Sequence, residues 1–353
     1  MARRLRAGVI GAGSWSARAH IPALRADPDV ELVVLSRPEE ELGEAMARHY
    51  GFARFEPNWL EALKHDLDVV VVSSPPVAHR EQVCASLEAG AHVLCEKPFA
   101  LRLEDAEEML ETAARSGRAL LAGFGWNRHP AFVELRRSIA GDLEHAEFTA
   151  ARLEVGVREL YTGELPAFMG ERDVSPNLAT YTDPTVSGGG ALWGSGCHLL
   201  AVMLWIFGRD VRSVHGQAHH VGSPPLDLHH AVTVEYGDGS RVTLAIVSVP
   251  AAHGRVRWQW RSYGAAGTVS IEGDTGPVSF TDRDGRRSER RIDIEDGIEA
   301  LEPTRSLLRL ARGEATYPEL DGGLAADVVA LTDAIQRSWR DARAVVPELL
   351  ERA

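Results

Sequence analysis

The chain has 353 residues, of which 44% are hydrophobic and 25% are charged, as is usual for globular proteins and unlike disordered or fibrous ones. This length favours two domains, each large enough to fold without disulfides or metals. The 51 acidic and 38 basic residues give a net charge of −13, which disfavours nucleic-acid binding because an acidic surface repels phosphates.

Three further features of the sequence indicate its location in the cell. No apolar segment with a cleavage site follows the basic start, as a signal peptide would require. The apolar run over residues 199–207 is too short to span a bilayer. Cys84, Cys95 and Cys197 form no CxxC pair, which suits a reducing compartment and predicts no metal site. We therefore expect a cytoplasmic protein without a membrane span.

Up to about residue 125, short apolar runs alternate with helix-compatible segments. The predicted strands are LRAGVI, ELVVLS, DVVVVSS, AHVLCE and ALLAGFG. The four consecutive valines of the third run are typical of a parallel strand covered by helices on both faces. The pattern predicts the α/β class, with a doubly wound domain over residues 1–127.

The pattern changes after about Arg128. A predicted helix, PAFVELRRSIAG, precedes alternating runs such as EHAEFTAARLEV, HHAVTVEY, RVTLAIVSV and GTVSIEG. Helix-compatible stretches follow at about 190–207 and over LAADVVALTDAIQRSWRDA, and residues 161–190 are expected to form a long loop that lines a site. Residues 128–353 are therefore predicted to form an α+β domain with a large, mostly antiparallel open sheet.

The segment GAGSWS at residues 11–16 lies between the first strand and a predicted helix. Glycine permits a tight turn there, and the N–H groups at the start of the helix can face a pyrophosphate. In this context the segment predicts a Rossmann dinucleotide site, with cofactor contacts from Gly11, Gly13, Ser14 and Trp15. A turn that only connects a strand to a helix is the alternative.

The end of the second strand carries information about the cofactor. Sites specific for NAD usually place an acidic residue there, about 20 residues after the glycine turn, on the ribose 2′-hydroxyl. Ser36 and Arg37 stand there instead, and a hydroxyl with a guanidinium suits a 2′-phosphate. We predict a preference for NADP, with NAD as a second usable cofactor. In the alternative, Glu39 or Glu40 binds the ribose.

Two motifs, SSPPVAH at residues 73–79 and AGAHVLCEKP at residues 89–98, resemble the family of glucose-fructose oxidoreductase, inositol dehydrogenase and MocA. The resemblance extends over nearly the whole chain, and its most diagnostic part is EKP. It implies a nicotinamide-dependent oxidoreductase in which Lys97 lies beside the nicotinamide and the substrate hydroxyl, followed by a cis peptide bond. It also implies cofactor contacts by Ser74, Pro75, His79 and Glu96.

A third element of the resemblance, SGGGALWGSGCH at residues 187–198, departs from the family pattern. The family carries an Asp four residues before the histidine, where this chain has Gly194 before His198. Either His198 works with Lys97 alone, or Asp183 or Tyr181 substitutes for the missing acid, or the protein is a non-catalytic relative. We expect retained chemistry, because histidine exchanges protons near neutral pH. The usual Asn after the Ser-Pro pair is also missing, since Pro76 stands there.

The resulting hypothesis is hydride transfer between the nicotinamide and a secondary alcohol or ketone of a sugar, cyclitol or glycoside. Lys97 and His198 would transfer the proton, and Arg128, Tyr181 and Asp183 would contact the substrate together with His198. Gly194 motivates two alternatives: a cofactor-binding sensor without turnover, and a redox-neutral glycoside-cleaving enzyme that recycles its nicotinamide.

Two other groups of residues are candidate sites. The pairs at residues 219–220 and 229–230 are adjacent histidines on strands, which point to opposite faces and cannot chelate together, although cross-strand pairing could bring two together. Trp258, Trp260 and Tyr263 are read as one strand face, which could stack on a sugar but more often is core or a subunit interface. The resemblance implies that such a face forms a subunit interface, so a homodimer or homotetramer through the C-terminal sheet is expected.

Overall fold

The computed structural model describes residues 3–166, 174–222, 225–254, 256–273, 276–292 and 298–350. The chain folds into two compact units. The first contains Met1–Gly125, Arg172–Asn177 and Gly297–Val329, and the second contains Trp126–Glu171, Leu178–Asp296 and Ala330–Ala353. The first unit thus includes a segment from near the C-terminus. The predicted boundary between residues 127 and 128 assigns that segment to the second domain.

The first unit contains a parallel sheet with six strands among the described residues. They are β1 (Leu5–Ile10), β2 (Val30–Ser36), β3 (Arg54–Glu56), β4 (Val69–Val72), β5 (His92–Cys95) and β6 (Leu120–Ala122). Their order, β3-β2-β1-β4-β5-β6, is that of a doubly wound Rossmann domain. All four valines of β4 are buried, as expected for a strand covered on both faces. The predicted fold of this region is confirmed.

Helices cover this sheet. They span Ser14–Arg18, His20–Ala26, Glu40–Tyr50, Trp59–Ala62, His79–Glu88, Leu103–Ser116 and Ile298–Ala311, and Gly322–Asp341 begins in this unit and ends in the second. The helix Ile298–Ala311, which the sequence analysis did not predict, packs against β4, β5, β6 and the helix His20–Ala26. A segment almost 300 residues from β1 therefore belongs to the core of the Rossmann unit.

The second unit contains a mixed sheet with eight strands among the described residues, in the order β14-β13-β12-β11-β7-β10-β9-β8. They are β7 (Phe148–Val155), β8 (Val211–Val221), β9 (Leu226–Tyr236), β10 (Arg241–Ser248), β11 (Val256–Gly264), β12 (Gly267–Glu272), β13 (Val278–Asp282) and β14 (Arg287–Arg290). Only β7 and β10 pair in parallel within this described sheet. The predicted mostly antiparallel sheet is confirmed.

The two faces of this sheet differ, and the difference corrects one prediction. Trp258 and Trp260 are 4% and 2% exposed, and both rings pack against Phe132. Tyr263 is 41% exposed, because the odd spacing from Trp260 places it on the opposite face of β11. The prediction that these three residues share one interface face was therefore wrong, since the two tryptophans belong to the core of this unit.

The helices of the second unit include one apolar segment. They span Pro130–Gly141, Arg158–Thr162, Ala179–Thr182, Pro184–Ser187 and Cys197–Phe207. Within the described chain, the run Pro184–Phe207 is long and apolar enough to cross a membrane by length and composition alone, and is longer than the sequence analysis allowed. However, 67% of its most apolar window is buried, so its composition is explained by packing inside the unit.

Candidate active site

The glycine turn between β1 and the helix Ser14–Arg18 is held by the ends of two neighbouring strands. Gly11 has a φ of +73°, and a Cβ added there would lie closer than 3.0 Å to the backbone of Ser74. The N–H groups of Gly11 and Ala12 donate to the carbonyl of Ser36 over 2.9 and 3.1 Å. Only glycine fits this turn, which lies at the carboxyl ends of β1, β2 and β4.

The turn leaves space where a dinucleotide would need it. Beyond the chain neighbours of Gly13, the carbonyl oxygen of Gly11 is the only described atom within 4 Å of a Cβ added there, at 3.8 Å. Ser14 and Trp15 open the following helix, whose first N–H groups can face an anion. The residues present therefore fit a bound pyrophosphate.

Arg37 lies beside this turn. One guanidinium nitrogen donates to the carbonyl of Ala12 at 3.0 Å, and Nε donates to Glu39 at 3.0 Å. The Arg37 side chain is 12% exposed, and Ser36 is buried. The turn thus has a fixed positive charge next to it, paired with one carboxylate.

His79 connects the loops that follow β4 and β5. Its Nε2 lies 2.8 Å from the carbonyl oxygen of Ser74, and its Nδ1 lies 2.9 Å from that of Pro98. Burial lowers the pKa of His79, although the neighbouring carbonyl oxygens oppose this shift. Pro75 is exposed in the first of these loops. His79 therefore holds the loop of Ser74 against the loop of the EKP segment.

A buried carboxylate precedes Lys97. Glu96 Oε1 accepts from the indole N–H of Trp15 and from His20 Nε2, both at 3.0 Å, and Oε2 accepts from the backbone N–H of Lys97 at 3.0 Å. His20 Nδ1 is in turn 2.8 Å from Thr304 Oγ1. The Lys97–Pro98 peptide bond is cis, as the resemblance implied. The network ties Lys97 to the glycine turn through Trp15.

This network keeps Glu96 ionised. Burial alone would raise the pKa of Glu96, but the hydrogen bond and charge of His20, together with the charge of Lys97, outweigh it and lower the pKa to about 2. An ionised carboxylate only accepts hydrogen bonds, so Nε2 of His20 carries a proton. His20 and Thr304 were not predicted from the sequence, because the first lies in an ordinary helix and the second in an unpredicted one.

His198 belongs to the second unit. It is the second residue of the helix Cys197–Phe207, directly after a π-helical turn at Leu192–Gly196. The half-buried imidazole stacks on Trp126, with ring centroids 4.6 Å apart and planes inclined by 24°. Such π turns are rare and frequently occur at functional sites.

A buried Asp–His pair holds the glycine-rich element in front of this turn. Asp227 accepts from the backbone N–H groups of Gly190 at 2.9 Å and Leu192 at 2.8 Å, and its Oδ2 lies 2.6 Å from His230 Nε2. Burial opposes ionisation of Asp227, but the hydrogen bond and charge of His230 lower its pKa. The sequence pattern gave no sign of this role, since His230 was weighed only as one of an adjacent histidine pair and Asp227 was not singled out.

The remaining histidine pairs give no evidence of a metal centre. His219 and His229 face each other across β8 and β9, with their ring centroids 5.8 Å apart. Within the part of the chain that the structure describes, no group of three or more His, Cys, Asp or Glu side chains could hold a metal ion.

At Gly194 the structure places an unpredicted side chain. A Cβ added there would lie closer than 3.0 Å to the hydroxyl oxygen of Tyr161. Tyr161 is 5% exposed, and burial raises the pKa of its phenol, while a hydrogen bond with Ser195 opposes the shift. The space that a side chain at residue 194 would occupy therefore contains a neutral phenol hydroxyl.

The other predicted substrate residues lie in the second unit. Asp183 caps the helix Pro184–Ser187, accepting from the backbone N–H of Thr185 at 2.9 Å and from its hydroxyl at 2.7 Å. Tyr181 and Arg128 are half-buried. Part of the predicted loop at 161–190, namely residues 167–173, falls outside the described residues. The substrate contacts of Arg128, Tyr181, Asp183 and His198 stay predictions.

Individual relatives and solved structures are similar to this chain. It is 31% identical to D-glucoside 3-dehydrogenase of Escherichia coli over 58% of this chain and 54% of that protein. It is 28% identical to the NADP-dependent scyllo-inositol 2-dehydrogenase of Bacillus subtilis over 80% of this chain and 81% of that protein. Levoglucosan dehydrogenase in complex with NADH and L-sorbose shares the fold, with a TM-score of 0.82 at 18% identity over 99% of this chain and 100% of that one.

Family models match both units. Residues 5–124 match the oxidoreductase family with an NAD-binding Rossmann fold, and residues 163–270 match the GFO/IDH/MocA C-terminal domain. The matched ranges together cover more than half of the chain, and they agree with the motifs around Lys97 and His198. The chain therefore belongs to the GFO/IDH/MocA family of oxidoreductases.

Proposed function

We propose that this oxidoreductase transfers a hydride between a nicotinamide cofactor and a secondary alcohol or ketone of a sugar, cyclitol or glycoside. The observation that carries the proposal is the Glu96 network, which joins the backbone of Lys97 to Trp15 at the start of the helix after the glycine turn. Relatives named for a glucoside and an inositol support the substrate class.

The residues divide the chemistry between them. When bound, the nicotinamide supplies the hydride acceptor or donor at its C4 atom. The ammonium of Lys97 stabilises charge on the reacting oxygen and exchanges its proton, and the imidazole of His198 is the second group able to exchange a proton near neutral pH. Glu96 keeps the backbone of Lys97 in place and adds a fixed negative charge beside it.

The composition of the chain supports a special role for Lys97. Lys64 and Lys97 are the two lysines among 38 basic side chains, and the others are arginines. Lys64 is exposed and pairs with Glu61 at 2.7 Å. Because lysine can release its proton far more readily than arginine, a lysine in the EKP segment of an arginine-rich chain suits proton transfer.

The experiment is single-turnover nicotinamide absorbance with stoichiometric NADP or NAD across sugars, cyclitols and glycosides. We expect the wild type to reduce bound cofactor, and Lys97→Ala to slow this step about 10²–10⁴-fold. Lys64→Ala is the matched control and should behave like the wild type. Equal rates in Lys97→Ala and wild type would refute the role of Lys97.

The same experiment tests the two alternative functions. Cofactor binding without reduction by any substrate would favour a sensor. Cleavage of a glycoside without accumulation of reduced cofactor would favour the redox-neutral enzyme that recycles its nicotinamide.

We propose a preference for NADP over NAD, with Ser36 and Arg37 at the 2′-phosphate. The guanidinium of Arg37 is already fixed beside the glycine turn by its hydrogen bond to the carbonyl of Ala12. To bind the 2′-phosphate, it must give up its ion pair with Glu39. Arg37→Ala should weaken NADP binding about tenfold or more and leave NAD binding nearly unchanged, whereas Glu39→Gln should strengthen NADP binding. Calorimetry that finds tighter NAD than NADP binding in the wild type would refute this preference.

We also propose a cytoplasmic homo-oligomer, either a dimer or a tetramer, that associates through the second sheet. Small residues lie along the exposed face of its central strands, among them Ala150 and Ala231, with Arg152 and Arg261 beside them. An exposed sheet face that carries small residues suits packing against a second copy. All three cysteines are buried, and none forms a disulfide within the described chain, which suits a reducing compartment.

A further inference from the structure

We propose that the hydroxyl of Tyr161 replaces the acidic side chain missing at residue 194 and positions the groups that exchange a proton at His198. This inference rests on the proposed function, and it assigns a role to a residue that the family motif does not include. Tyr161 is a positioning residue here, acting from beside the turn that carries Gly194 and Ser195.

The first argument is spatial. A Cβ built on Gly194 would lie closer than 3.0 Å to Tyr161 Oη and 3.3 Å from Cζ, so the hydroxyl fills the position of the first side-chain atom at residue 194. Tyr161 comes from the helix Arg158–Thr162, shortly after the end of β7. The glycine at 194 and the tyrosine at 161 therefore depend on each other, because a side chain at residue 194 and the hydroxyl of Tyr161 cannot occupy the same space.

The second argument is chemical. Gly194 lies four residues, about one helical turn, before His198. A polar group at residue 194 therefore lies on the same helical face as the histidine. Tyr161 offers an O–H that can donate one hydrogen bond and accept another, and Ser195 already shares a hydrogen bond with it. Burial keeps this phenol neutral, so it can orient a hydroxyl or an imidazole without adding the negative charge of an aspartate.

A stability cycle tests the shared space. Gly194→Ala should lower the melting temperature of the wild type by about 4 °C or more, because the new methyl group meets Tyr161 Oη. In a Tyr161→Phe background the same substitution should cost less than half as much, because the oxygen is gone. Equal costs in both backgrounds would overturn the proposal that the hydroxyl occupies this position.

An activity exchange tests the role. Tyr161→Phe should lower kcat about tenfold with little change in the KM for the cofactor. Tyr161→Ala combined with Gly194→Asp should exceed the activity of Tyr161→Ala at least tenfold. Its kcat/KM should show one more ionisation at acidic pH than the wild type shows, because a carboxylate has replaced a neutral hydroxyl. Gly194→Asp alone should lose activity, because Tyr161 blocks its side chain.

Tyr236→Phe is the matched control. Tyr236 is also a buried tyrosine of the second unit, and its hydroxyl has no hydrogen-bond partner among the described residues, so kcat should not change. If Tyr161→Phe also keeps the wild-type kcat and pH profile, Tyr161 only fills space and this inference is overturned while the proposed function stands. If the wild type shows no Lys97-dependent turnover, the proposed function fails, and this role fails with it.

Discussion

The surroundings of Lys97 and of Gly194 differ in how they provide a polar group. Beside Lys97 the family's Glu96 is retained, buried and ionised, with donors from Trp15 and His20. At Gly194 the family's carboxylate is lost, and a neutral phenol from Tyr161 lies in its place. A charge is thus present beside Lys97, whereas the group beside residue 194 is neutral. Removing an acidic side chain should therefore cost more beside Lys97 than in the second unit.

The largest expected effect is at Glu96. Glu96→Ala removes the carboxylate that accepts from three donors, the indole of Trp15, the imidazole of His20 and the backbone N–H of Lys97. Breaking a buried charged pair costs about 3–5 kcal/mol, and urea unfolding should show a loss of this size. Glu111→Ala is the control, since Glu111 is exposed and pairs with Arg115, and it should cost about 0.5 kcal/mol or less. Similar losses in both variants would mean that the network contributes little.

The pH dependence sharpens this prediction. The pKa of Glu96 in the folded protein is about 2, below its ordinary value of 4.5, so its ionisation stabilises the fold above pH 4.5, and this contribution disappears as the pH falls towards 2. The difference in unfolding free energy between wild type and Glu96→Gln should therefore shrink over this interval, by about 3 kcal/mol at most. A difference that stays constant from pH 5 to pH 2 would contradict the lowered pKa.

A smaller effect is expected at Asp227, the buried acid of the second unit. Asp227→Asn keeps the shape but replaces one acceptor oxygen with a donor, which would face the N–H of Gly190 or Leu192 or the ring of His230. One unsatisfied buried group costs about 2 kcal/mol. Because the π turn before His198 depends on these bonds, kcat should also fall, while NADP affinity should not change. Asp238 lies in an exposed turn, so Asp238→Asn should alter neither the free energy of unfolding nor kcat.

The sequence predicted the parts of the molecule whose signals are local. The glycine turn, the valine strand β4, the EKP segment and the alternating strands of the second sheet all appear as expected. Each depends on a periodicity or a motif within a few neighbouring residues. The departure at Gly194 was also visible in the sequence, although what fills the space was not.

The parts that could not be predicted are formed by residues distant in sequence. Thr304 lies within hydrogen-bond distance of His20 although more than 280 positions separate them, and Asp227 on β9 accepts from the backbone of Gly190, 37 positions away. A buried polar residue gives no periodic signal of its own, and its partner is fixed only when the chain has folded. The two tryptophans of β11 show the same limit, since alternation identifies a shared face but not whether that face is core or surface.

The smallest effect on stability is expected on the exposed face of the second sheet. Ala231 lies there on β9, so Ala231→Arg should change the free energy of unfolding of a protomer by about 0.5 kcal/mol or less. If a second copy packs on this face by two-fold symmetry, the interface buries one new arginine from each copy, and the two like charges repel each other. Sedimentation should then show dissociation. Ala53→Arg, an exposed alanine of the first unit, should leave the oligomer intact. An assembly that tolerates arginine at residue 231 would place its contacts elsewhere, and the small residues of this face would then serve only the packing of the sheet itself.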